Sequence, residues 1–154
     1  MITAFAGAAA SIATTDGPQP KSDDVLAEIA PALIAAGYDV EQGKRAANKL
    51  TRPVLFGENG KPTVEYDVDA FHPEHQVVLE VEAGRGAASN ADFRDIVRSS
   101  LLVGVRYLAL AVMVEYRGGG RPIRSYENTR NQLDAIYASE RLRLPFDGVL
   151  LIGY

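Results

Sequence analysis

Apolar positions change their period several times along this chain, and the changes mark its elements. Val25, Ile29, Ala32, Leu33 and Ala36 recur at helical spacing behind Ser22, which suits an N-cap, and ahead of Gly37, which suits a C-terminal stop. Asp23 and Asp24 favour the positive end of that helix, and Pro31 should kink it. Residues 37–43 read as a short strand, followed by the basic stretch 44–49 and a turn at 58–62. Residues 63–71 and 76–83 alternate as strands around the tight turn His72-Pro73-Glu74-His75, which predicts an antiparallel hairpin. Asn90 would cap a helix over 91–102 with Phe93, Ile96, Val97, Ser100 and Leu101 facing the core. The apolar run 105–116 reads as a strand buried on both faces. A glycine loop at 117–122, a helix over 126–142 and a strand over 148–152 complete a mixed α/β domain.

Length and composition narrow this picture. At 154 residues the chain can bury one real core, so residues 22–154 are expected to form a single domain. Residues 1–15 are small and apolar, too short to span a bilayer and without the basic start of a secretory signal. Residues 1–21 are therefore expected to be an N-terminal arm that packs on the domain or on another subunit. No cysteine is present, which removes disulfides, thiolate zinc sites and cysteine nucleophiles and fits a cytoplasmic protein outside any membrane. The net charge of −4 and pI near 5.2 give no global field for nucleic acid, so a phosphate backbone would have to be met by local arginines.

The candidate chemistry lies on the hairpin. Val78, Glu80 and Glu82 share one face of its second strand, and Glu65, Asp67 and Asp69 share a face of its first. The short turn brings Asp69 near Glu80. Crowded carboxylates in a folded core must be protonated or bind a cation, and an all-oxygen set suits magnesium or manganese rather than zinc. Glu28 lies beside the apolar stripe of the first helix and would point the same way. Otherwise the hairpin is simply the wet face of an amphipathic ribbon. Arg85, Arg94 and Arg98 follow the hairpin, and Lys44 and Arg45 lie in the basic stretch beside Lys49 and Arg52; all are candidates for tracking a nucleic-acid backbone. Arg117, Arg121 and Arg124 form a third basic group. His72 and His75 read as an exposed turn, and Tyr107, Tyr126 and Tyr137 as core residues.

The string Tyr66-Asp67-Val68-Asp69-Ala70-Phe71, a short turn, then Val77-Val78-Leu79-Glu80-Val81-Glu82-Ala83-Gly84 resembles the PD-(D/E)xK nuclease superfamily. The element order over residues 22–116 resembles that family's restriction-endonuclease-like αβββαβ core, a mixed sheet flanked by helices, here with an extra C-terminal helix and strand. The resemblance implies a Mg²⁺- or Mn²⁺-dependent endonuclease acting on nucleic acid, DNA before RNA. It implies Asp69, Glu80, the Val81 carbonyl and Glu28 as metal ligands, and Glu82 as the residue that orients or activates water. It also implies a homodimer, since one site cuts one strand. Glu82 stands where the family usually has lysine. That departure leaves open a member that no longer cuts and serves as a binding or regulatory subunit.

Overall fold

The computed structural model describes residues 1–15, 17, 19–43, 45–84, 89–118 and 120–154, with residue 46 described by its backbone alone. In chain order the elements are α1 (Ile2–Ile12), α2 (Ser22–Ala35), β1 (Asp39–Val40), β2 (Thr51–Phe56), β3 (Pro62–Asp67), β4 (Ala70–His72), β5 (Val77–Glu82), α3 (Ala91–Ser100), β6 (Tyr107–Val112), α4 (Ser125–Ser139) and β7 (Gly148–Gly153). Five strands make one sheet in the order β1-β4-β5-β6-β7, antiparallel from β1 to β5 and parallel from β5 to β7. The parallel half requires crossovers, and α3 and α4 supply them. This is the expected restriction-endonuclease-like core with a mixed central sheet, helices on both faces and an added helix and strand.

Alternation along the strands builds two cores. Leu79 and Val81 of β5 and Ala109, Ala111 and Met113 of the β6 segment join the core under α1 and α2. Val78, Leu108, Leu110 and Val112 join the one under α3 and α4. Alanines on the α1/α2 face of β6 let those helices approach closely. A sheet buried on both faces explains the uninterrupted apolar run of β6.

Much of the expected N-terminal arm is the helix α1, which packs on the domain and buries Ala4, Phe5, Ala8 and Ile12 in the same core as α2. Alanine is the best helix former, and these four positions make one helical face. The strand expected over 63–71 breaks at Val68-Asp69: β3 pairs with β2 in a separate two-stranded ribbon, and only β4 pairs with β5. α2 runs without interruption through Pro31, and its N-cap is Lys21 rather than Ser22. α3 turns Asp92, Asp95, Ile96 and Ser99 inward, leaving Val97 and Leu101 exposed. His72 is buried, with Nε2 3.0 Å from the Ala36 carbonyl and its ring edge-on to Tyr38, whereas His75 is exposed. Tyr107 and Tyr137 are exposed, and only Tyr126 packs against a core.

Candidate functional site

The break between β3 and β4 creates the site. β4 pairs with β5 only as far as Ala70 opposite Leu79, so residues 80–82 run on past its end. Asp69 stands at that end, and its Oδ2 accepts the Val81 N–H at 2.6 Å where a ladder carbonyl would otherwise stand. The Asp69 carbonyl accepts the Glu41 N–H at 2.9 Å, which draws the chain after β1 into the same row. Glu80 and Glu82 project to the α3 side of the sheet, as alternation requires. Tyr154 Oη donates to the Glu82 carbonyl at 3.1 Å and fixes the far end of β5.

Asp69, Glu80, Val81 and Glu82 line a cleft of about 210 Å³ with Ser22, Glu41, Lys49, Asp67, Val68, Arg94, Asp95 and Arg98. Six carboxylates (Glu41, Asp67, Asp69, Glu80, Glu82, Asp95) face three cations (Lys49, Arg94, Arg98). Each cation is already engaged. Lys49 Nζ lies 3.1 Å from both Glu41 carboxylate oxygens and 3.5 Å from Asp67. Arg94 Nε donates to Asp95 at 3.0 Å, and its Nη2 lies 3.4 Å from Glu82. Arg98 donates to the Asp67 carbonyl at 3.3 Å with its guanidinium over the Tyr66 ring.

This arithmetic shows in the proton affinities. Burial pushes Asp69 up to about 6, aided by the Glu41 and Asp95 charges, although the Val81 N–H pulls the other way. Glu80 is pushed well above the ordinary carboxylate range by burial and by Asp69 and Asp95. Glu82 rises to about 7 despite Arg94. Burial wins there because that arginine is more than half exposed and shares its charge with Asp95 at closer range.

The structure brings some of the residues singled out in the sequence together in this cleft and leaves others outside it. Asp69, Glu80, Val81, Glu82, Arg94 and Arg98 all line it. Glu28 is exposed on α2 and does not line it; the inward acid from that side is Glu41. Arg45 is exposed and outside the lining, while Lys44 and Arg85 lie outside the described residues. Glu41, Lys49 and Asp95 are the additions. Lys49 belongs by sequence to the basic stretch, and nothing in local spacing singles out Asp95 or Glu41.

A donor set made only of oxygens fits a hard divalent cation, and the raised proton affinities mark negative charge that a cation would relieve. Among the described residues, however, no three Asp, Glu or His side chains converge into a ready-made metal site. Asp69 is turned onto the Val81 amide and Glu82 faces Arg94, so both would have to turn to close a shell.

Residues 20–154 match the family model described as "Putative halobacteria restriction endonuclease". The match contains every strand of the sheet and every residue lining the cleft, and it excludes α1. No curated protein and no solved structure matches the chain. Among the described residues no helix is long and apolar enough to cross a membrane.

Proposed function

The chain belongs to this halobacterial restriction-endonuclease family, and from that premise we propose that its acidic cleft hydrolyses phosphodiester bonds of nucleic acid, DNA before RNA, with Mg²⁺ or Mn²⁺. The observation that carries the proposal is the meeting of Asp69, Glu80 and Glu82 in one cleft at the end of β5, inside the matched segment. Asp69 and Glu80 would hold the cation with the Val81 carbonyl, and Glu41 takes the place expected for Glu28. The bound cation would polarise the phosphate and acidify a water molecule. Glu82 would orient that water and accept its proton, while Lys49 keeps the Glu41 carboxylate in place. Arg94 and Arg98 stand at the cleft where a scissile phosphate would enter, and a guanidinium can grip it with two parallel hydrogen bonds.

The test is cleavage of linear and circular DNA and of RNA in Mg²⁺ or Mn²⁺. Glu80→Ala should lower the rate by about two to three orders of magnitude, the scale of removing one preorganised charge-stabilising group. No cleavage of any substrate, together with no Mn²⁺ bound by the wild type, would sink the proposal. One observation favours a second reading, a nuclease-fold binding subunit that does not cut. Glu82 replaces the usual lysine and is paired with Arg94. That reading is supported if Mn²⁺ binds, Glu80→Ala abolishes its binding, and DNA is held but never cut.

A further inference from the structure

β7 is the last strand of the sheet, and among the described residues it pairs only with β6. Its six residues, Gly-Val-Leu-Leu-Ile-Gly, include no charge, no proline and no polar side chain. Natural sheets usually blunt a free edge with one of these devices, because an unblocked edge recruits another strand. The direction of its main-chain groups follows from Tyr154, whose N–H donates to the Val112 carbonyl at 3.1 Å and whose carbonyl accepts from the Val114 N–H at 2.8 Å. Tyr154 thus faces β6. By alternation, the N–H and C=O groups of Val149, Leu151 and Gly153 point away from the sheet.

Those three residues are spaced symmetrically about Leu151. An antiparallel copy of β7 centred there sets Val149 against Gly153, Leu151 against Leu151 and Gly153 against Val149. Every outward N–H and C=O of the strand then finds a partner. On the α1 side, Leu150, 38% exposed here, would lie against Ile152 of the copy. The glycine opposite Val149 leaves that side chain room.

α1 supplies a separate observation on the same edge. Its outward positions include Ile2, Thr3, Ala6, Gly7, Ala9 and Ala10, without one charged residue. A helix that stays in water normally carries charge on its outer face, and one apolar all round is normally covered. Ile2 is 64% exposed. Two open apolar grooves, about 560 and 480 Å³, run between α1 and the sheet, and both have Ile2 and Leu150 in their walls.

We propose that this edge is where two copies of the chain join, β7 to β7 about Leu151, into one continuous ten-stranded sheet with the two α1 helices side by side across the two-fold axis. Charge selects the occupant. In a chain of net charge −4, two copies meet with least repulsion through elements without charge, and neither α1 nor β7 carries a charged residue. Nucleic acid would need cations there, and neither α1 nor β7 has any. The two-fold contact is self-complementary, as closed homodimers require. The inference does not rest on the chemistry of the cleft, and it is read out by mass rather than by cleavage.

Light scattering during gel filtration should give twice 16.6 kDa for the wild type at about 100 µM. Leu150→Lys should halve that mass. So should Ile2→Glu, which keeps α1 folded because an acid in the first turn favours a helix. The register has its own test, since the chain lacks cysteine. Paired Leu151 residues would have Cα atoms about 5.5 Å apart, within disulfide range. Leu151→Cys should therefore cross-link as a dimer under mild oxidation, and Tyr137→Cys, exposed on α4, should not. A monomeric wild type overturns the proposal. So does a dimer that survives both charge substitutions, or one in which Tyr137→Cys cross-links and Leu151→Cys does not.

Discussion

Asp69 spends its carboxylate on a hydrogen bond that the main chain could have made, and that substitution sets the character of the cleft. A carbonyl at that point would be neutral. A carboxylate brings a charge that Glu80 and Glu82 must share, and all three acids hold protons more tightly than ordinary ones. The effect on stability has a definite sign. Between the ordinary values of 3.8 and 4.5 and the folded values of about 6 for Asp69 and about 7 for Glu82, the folded protein binds more protons than the unfolded chain. This contribution is complete below about pH 4 and is lost as the pH climbs through 6 and 7. In the absence of divalent cations, Tm should therefore fall from pH 5 to pH 8. The double substitution Glu80→Gln, Glu82→Gln should flatten that slope, and Mn²⁺ should raise Tm of the wild type at pH 8. A wild-type Tm that rises over this range, with the double variant unchanged, would contradict the electrostatics of the cleft. Glu80 and Glu82 were legible because strand alternation is a strictly local rule. Glu41 and Asp95 were not, because their inward direction depends on where β1 and α3 come to lie.

At the scale of elements, local pattern gave type and order well and partners poorly. β5, β6, α4 and β7 fell close to their expected places because each carries its own periodicity or apolar run. β2 escaped notice: Thr51–Phe56 contains Pro53, and its partner β3 was already assigned to the hairpin. The expected strand over 63–71 is two strands because Val68 bends inward while its N–H donates to the Leu50 carbonyl, a contact between distant positions. α3 is the plainest instance of tertiary override. Its polar positions Asp92, Asp95 and Ser99 turn inward, Asp95 toward the acidic cleft, and rotate part of the apolar stripe into solvent. Ile96→Ala should accordingly cost about 2–5 kcal/mol in urea unfolding, whereas Val97→Ala should stay within about 0.5 kcal/mol. Comparable losses at both positions would restore the stripe read from spacing alone.

For the whole molecule, the distribution of charge matters more than its sum. The cations at the cleft are few: Lys49 and Arg94 are tied to carboxylates, and Arg98 to the Asp67 carbonyl. Arg117 and Arg124 are paired with Glu115 and Glu127 away from it. Among the described residues the cleft itself therefore offers a phosphate backbone three cations at most, and binding there should be shallow in salt. With Ca²⁺ in place of Mg²⁺ to hold DNA without cutting, the slope of log K against log salt should be no steeper than about −3, or roughly 0.9 per contacted phosphate. Fluorescence anisotropy over a salt series measures it directly. A slope twice as steep would place a second basic surface in contact with DNA. The composition made this legible in outline, since an acidic chain advertises no broad basic face. It could not show that the three cleft cations were already engaged.

The hydrogen bond from the Val81 amide to Asp69 has one further consequence, which belongs to spectroscopy. That proton is held by the same carboxylate that a cation would claim, so the resting cleft protects it and a cation bound there would release it. The ¹⁵N–¹H signal of Val81 would thus be an internal gauge of the proposed cation binding, legible in a protein that has never been given a substrate.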